Sequence, residues 1–95
     1  MILPVEYREL FNDLYMVTEL LFKAVKAWCE DDKICILLSD SKEIRFPVDL
    51  NLKLKNASFE LQNNIEIICN GTGLHWPALD EDLSLSGIME GRYSV

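Results

Sequence analysis

A chain of 95 residues, 49% hydrophobic and 26% charged, has room for one domain around one modest core, and that balance excludes intrinsic disorder. The formal net charge of −7 excludes a general basic surface that could neutralise the phosphates of nucleic acid or anionic lipid; it favours solubility and a basic partner. No apolar run approaches the ~18 residues of a membrane span.

The start, Met1-Ile2-Leu3-Pro4-Val5-Glu6, lacks a basic segment and is interrupted by proline, so no secretory signal is expected. Pro4 suits the first turn of a helix, where its missing N–H costs nothing. Tyr7, Leu10, Phe11 and Leu14 follow at i, i+3, i+4, i+7 and predict an amphipathic helix over 4–15. The stripe can continue through Val17, Leu21, Ala24, Val25 and Trp28, so the pattern alone leaves one long helix or two. Glu30-Asp31-Asp32-Lys33 reads as a polar turn, and Ile34 to Leu38 as a strand. Ser39-Asp40-Ser41-Lys42 turns the chain into an alternating strand from Glu43 that ends at Pro47, giving an antiparallel hairpin.

From Val48 two periods compete. Val48, Leu50, Leu52 and Leu54 alternate as in a strand, whereas Leu50, Leu54, Ala57 and Leu61 share a helical face. With Asp49 as N-cap and Leu and Lys as helix formers, a helix is expected over 49–55, then a second helical turn opened by Ser58. Ile65 to Cys69 has strand character, Asn70-Gly71-Thr72-Gly73 is a turn, and Leu74-His75-Trp76 is a short strand stopped by Pro77. Ser84 caps a last helix over 85–90, with Gly91 as its terminator. The expected fold class is α+β: a single domain, 1–95, with a small antiparallel β-sheet, an N-terminal helix, a middle helical segment and a short C-terminal helix.

The run Gly73-Leu74-His75-Trp76-Pro77-Ala78-Leu79-Asp80-Glu81-Asp82-Leu83-Ser84 resembles the signature of the domain of unknown function family 2442. That signature joins a small residue, an apolar residue, H-W-P, an acidic L-D-E-D block and a short closing helix ending in glycine, here Leu85 to Gly91. Lys33 to Leu38, a turn, and Glu43 to Pro47 are similar to the family's strand, turn and proline-ended strand. Leu54, Ala57 and Ser58 are similar to its step before a polar helix. The resemblance covers 25–92 and leaves 1–22 as an added helical extension. The turn Asp40-Ser41-Lys42 lacks the usual Asp-Gly, and Ser86 stands where an acid is common. The resemblance implies a compact α+β fold and makes 25–29 a strand. Family members often lie in bacterial genomes beside small suspected toxins, which implies an antitoxin-like or partner-binding role and no mechanism.

The three cysteines, Cys29, Cys35 and Cys69, form no C-x-x-C pair, and each is expected as a buried free thiol in a reducing, cytoplasmic compartment. His75 is the single histidine. Ser84, Ser86, Cys69 and Asp80 are available around it, but no spacing specifies a nucleophile, and scattered cysteines give no zinc-ligand pair. Asp80, Asp82 and Ser84 alternate in the manner of oxygen ligands, without the length of a calcium loop, and the acidic block is better read as favouring the dipole of the helix that follows. Asn70-Gly71-Thr72-Gly73 is a turn and no phosphate cradle, since position 76 is Trp. Trp28 and Trp76 are expected in the core, with interface anchoring as the other role for Trp76.

The expected function is a non-enzymatic interaction module, an antitoxin-like partner of a small basic bacterial protein. Its candidate partner-binding residues are His75, Trp76, Asp80, Glu81 and Asp82. No catalytic, cofactor or metal residues are expected, no membrane or direct nucleic-acid contact, and a homodimer through an edge strand is compatible with the small core. The alternatives are an acidic inhibitor, in which Asp80 to Asp82 and Glu90 stand in for phosphates, and a small hydrolase using His75. Trp76, Leu79, Leu83 and Ile88 are expected to pack the last helix on the sheet, with Asp80, Glu81 and Asp82 facing outward.

Overall fold

The computed structural model describes residues 22–94. The helix expected over 4–15 lies outside them. Residues 24–28, which could have extended that helix, are strand, as the family resemblance requires: β1 spans Ala24–Glu30. β2 (Lys33–Leu38) and β3 (Glu43–Pro47) follow. The three pair in the order β1-β2-β3, each antiparallel to its neighbour.

The β1–β2 turn is tight because Asp31 and Asp32 both take positive φ, 51° and 60°, the backbone of a type I′ hairpin turn. Strand alternation then sorts the side chains. Ile34, Ile36 and Leu38 point inward, fully or almost fully buried with Cys29 and Phe46. Trp28, Cys35 and Arg45 form a row on the outer face. Trp28 is therefore half-buried on the surface of the sheet and not part of the core cluster, contrary to expectation. Its Nε1 donates to Glu30 (2.9 Å), and the Lys26 ammonium lies 5.2 Å from its ring centroid.

Pro47 ends β3. The helix expected over 49–55 is broken into a 3-10 turn, Val48–Leu50, and a short helix α1, Leu52–Lys55. The break falls at Asn51, whose extended backbone (φ −127°, ψ 120°) is that of an N-cap. Asn51 Oδ1 accepts from Leu54 N (3.0 Å), so Asn51 and not Asp49 caps this helix. Ser58 opens α2 (Phe59–Gln62) as expected, accepting from Leu61 N.

The chain then forms a second sheet rather than returning to the first. β4 (Glu66–Ile68), β5 (Gly73–Trp76) and β6 (Glu81–Ser84) pair antiparallel in the order β4-β5-β6. The single small sheet expected is thus two three-stranded sheets. Between β4 and β5 the backbone is left-handed at Cys69, Asn70 and Gly71 (φ 53°, 55° and 90°). Gly71 is required there, because a Cβ would lie 2.8 Å from Lys23 Cβ. The turn lifts Cys69 into solvent, correcting the expectation that all three thiols are buried; Cys29 and Cys35 are.

Ser84 caps α3 (Leu85–Met89) by accepting from Gly87 N (3.0 Å). Gly91 at φ +85° ends it in a Schellman motif, with Arg92 N donating to Gly87 O and Gly91 N to Ile88 O. Leu74, Trp76 and Leu83 of the second sheet, with Leu85 and Ile88 of α3, share one core cluster with the inner face of the first sheet. Leu79 is partly buried against it. No helix among the described residues is long and apolar enough to cross a membrane.

Candidate functional site

The H-W-P segment and the acidic block lie on adjacent strands, which decides where each residue points. β5 and β6 pair in the register His75↔Asp82 and Trp76↔Glu81. Alternation sends Leu74 and Trp76 into the core and leaves His75 on the outer face. There it has an acid on each side, Glu66 on β4 and Asp82 on β6. His75 Nδ1 is hydrogen-bonded to Asp82 Oδ1. That bond, more than any other influence, holds the imidazole above its ordinary range.

Trp76 is wholly buried, and its Nε1 donates to Gln62 O (2.9 Å). Glu81, its cross-strand partner, is also buried. A carboxyl oxygen of Glu81 accepts from Asn51 Nδ2 (2.7 Å), and the same amide nitrogen donates its second hydrogen to Tyr93 O (2.8 Å). The acidic block is therefore not a solvated loop before a helix. Its last two acids are strand residues, one turned in and one out, and the segment beside the α3 dipole is strand. Of the five residues expected to meet a partner, Trp76 and Glu81 are out of reach by burial. His75, Asp80 and Asp82 remain accessible, with the side chain of Asp82 66% exposed. The row of carboxylates imagined as phosphate mimics loses its middle member, and Glu90 is paired with Arg92.

The two serines weighed as nucleophiles beside His75 have other engagements. Ser84 Oγ serves as the cap of α3, and Ser86 Oγ donates to it (3.5 Å). The described residues hold no group of three or more His, Cys, Asp or Glu side chains placed to share a metal ion.

Two polar side chains that the sequence reading passed over hold the segment in place. Asn51 joins the α1 cap, β6 and the C-terminal segment. Gln62, also buried, donates through Nε2 to Leu54 O (2.8 Å) and Ala57 O (3.2 Å) and accepts from Cys29 Sγ (3.6 Å). Every buried side-chain nitrogen and oxygen among the described residues has a partner. An Asn or Gln flanking a short apolar run was the available signal, but which backbone groups it meets depends on the tertiary fold.

The open surface beside this frame consists of two contiguous clefts sharing Leu52 and Lys53. The first, about 480 Å³, is bounded by Asp80, Glu81 and Asp82. The second, about 580 Å³, is floored by Ala57, Leu61, Ala78 and Leu79. Lys53 Nζ stands between them and donates to Asp80 O (2.8 Å). α1 and α2 present Leu52 (69% exposed), Phe59 (59%) and Leu61 (37%) to solvent, and Leu50 just before them is also exposed. These four are most of the seven large apolar side chains that the described residues expose, so the apolar surface is concentrated here.

The family model described as "Protein of unknown function (DUF2442)" matches residues 24–94. Two solved structures share the fold. One is the crystal structure of a protein of unknown function from Rhodospirillum rubrum: TM-score 0.72, 34% identity, 78% of this chain and 92% of that one. The other is the solution structure of the uncharacterized protein CV0863 from Chromobacterium violaceum: TM-score 0.71, 26% identity, 86% of this chain and 77% of that one. No curated protein matches.

Proposed function

The chain belongs to the DUF2442 family of proteins of unknown function, and from that premise we propose that it is a non-enzymatic protein-interaction module whose docking surface is the double cleft beside α1 and α2. The observation that carries this reading is the exposure of Leu52 and Leu61 along an open cleft whose adjoining rim carries Asp80 and Asp82, with Phe59 also exposed on α2. An apolar floor beside an acidic rim suits a partner segment with apolar side chains and flanking lysine or arginine. The net charge of −7 acts in the same sense by steering a basic partner towards the chain. The partner class is a small basic protein, in an antitoxin-like pairing of the kind the family resemblance implies. His75 and Asp82, on the outer face of β5 and β6, border the acidic end of this surface.

The test is affinity purification from the native host at graded salt, comparing the parent with Leu52→Lys/Leu61→Lys. Both positions are exposed, so the variant should melt like the parent and lose the partner. A partner retained by the folded double variant would show that the cleft is not the docking surface.

A further inference from the structure

We propose that β3 is a dimerisation edge: two copies of the chain pair antiparallel through Glu43, Ile44 and Arg45, about a two-fold axis beside Ile44, so that their β1-β2-β3 sheets join into one.

β3 has β2 on one side and no strand on the other among the described residues, whereas β4 and α2 approach the opposite edge, β1. The phase of the ladder decides which backbone groups the free side presents. Leu38 N donates to Lys42 O (2.8 Å) and, past the other end of the strand, Val48 N donates to Asp32 O (2.9 Å). Antiparallel pairs alternate between those that exchange hydrogen bonds and those that do not. In this register Ile36↔Ile44 and Ile34↔Phe46 are the pairs that exchange them. The N–H and C=O groups of Glu43 and Arg45 therefore point away from β2. Pro47, next in that phase, has no N–H and closes the edge. What is left open is a template for another strand.

A second copy of the same strand fits that template in one register. Arg45 opposite Arg45, or Glu43 opposite Glu43, sets like charges face to face, which is destabilising. The first of these also sets Glu43 against Pro47, which cannot donate. With Glu43 opposite Arg45, each outward N–H and C=O of these two residues finds its partner on the other copy. The side chains agree with the backbone. Within one copy Arg45 Nη2 already lies 3.1 Å from Glu43 Oε1, with both side chains little more than half-buried and free to reach across. Pairing the copies closes these ion pairs into a ring of alternating charges. Ile44 then meets its own counterpart across the axis, in a non-hydrogen-bonded pair, where side chains lie closest. It is only partly buried against the core of its own chain, so the contact gives it apolar cover. Charges that are complementary only when the strand meets itself single out a second copy as the occupant. No residue lining the two clefts belongs to β3, so this contact and partner docking are tested separately.

The experiment is sedimentation equilibrium of the full chain, purified without partner, at a series of concentrations. The parent is expected to show a monomer–dimer equilibrium. Glu43→Arg and Arg45→Glu should each raise the dissociation constant roughly 30-fold, since two symmetry-related charge pairs turn from attraction to repulsion together. Mixed in equal amounts, the two variants should pair with one another as the parent pairs with itself, because an edge with two cations then meets an edge with two anions. Independently of the charge variants, Ile44→Cys in a Cys69→Ser chain should give a dimer linked through position 44 on copper–phenanthroline oxidation, the spacing of a non-hydrogen-bonded pair being within reach of a disulfide. A monomeric parent would overturn the proposal. So would a dimer indifferent to both charge reversals, a mixture of the two variants that stays monomeric, or oxidation that yields no linkage at position 44.

Discussion

Replacing Asn51 by Asp separates two roles that meet in one side chain. Asn51 Oδ1 caps α1 by accepting from Leu54 N, and Asp is as good a cap as Asn. Asn51 Nδ2 donates to Glu81 at 2.7 Å and to Tyr93 O, and Asp cannot supply either bond when ionised. Two carboxylates at that separation would repel by about 6 kcal/mol at an effective dielectric constant of about 20. The folded variant avoids most of this by binding one proton, which at pH 7 costs about 4 kcal/mol for a carboxyl that ordinarily titrates near pH 4. The sign follows from linkage. A carboxyl that titrates higher in the folded chain than in the unfolded one keeps its full stability below pH ~4 and loses it as pH rises towards neutrality. The variant should therefore be destabilised by roughly 3–4 kcal/mol at pH 7, while at pH 4 the deficit shrinks to about 1 kcal/mol or less, because a protonated Asp can donate to Glu81. Urea unfolding of parent and variant at both pH values measures this. A variant within about 1 kcal/mol of the parent at pH 7 would mean that the cap is the only role of Asn51. A deficit equal at pH 4 and pH 7 would mean that packing, and not charge, is at stake.

Trp76→Ala should cost about 3–5 kcal/mol, because it opens the core where the two sheets meet and leaves Gln62 O without its donor; a parent-like melt would refute the placement. His75 titrates higher in the folded chain, chiefly through Asp82, so its contribution is full below the ordinary value of 6.5 and fades as pH rises through the raised one. Thermal melts from pH 5.5 to pH 8.5 should show the parent losing stability relative to His75→Gln, and parallel profiles would remove the pair from the stability account. Asp32→Gly should stabilise by roughly 0.5 kcal/mol, the relief of left-handed strain less the extra freedom of glycine when unfolded. Calorimetry should place its melt slightly above that of the parent, and a lower melt would show that the Asp32 side chain matters more than its backbone.

Local chemistry in the sequence located most of the elements. The hairpin from Ile34 to Pro47, the caps at Ser58 and Ser84, and the terminator at Gly91 all sit where residue type alone placed them. The first strand was legible only through the family resemblance, because Ala24, Val25 and Trp28 also fit a helical stripe. The misreadings share one cause. Asp80-Glu81-Asp82 looks like a solvated run, since three acids in a row have no local reason to hide one member. Pairing with β5 imposes alternation on them, and Asn51, 30 positions earlier, supplies the donor that lets Glu81 turn inward. The cleft was invisible for a related reason: Leu52 and Leu61 have the same composition whether they fill a core or border it, and only the assembled sheets show which.

Every strand in both sheets pairs with its neighbour in sequence, and no crossover joins one sheet to the other. Each sheet can thus close through turns of a few residues, at small loop-closure entropy, before the other exists. The side-chain bonds that tie each sheet to the helical segment between them are more distant in sequence: Cys29 to Asn63 from the first sheet, Trp76 to Gln62 and Glu81 to Asn51 from the second. Folding is then expected to be quick for a β-rich chain, with each meander zipping locally and the docking of one on the other as the late step. In native-state hydrogen exchange the central strands β2 and β5 would be the slowest amides of their own sheets. Weakening the Asn51–Glu81 tie would speed unfolding while leaving the refolding rate almost unchanged.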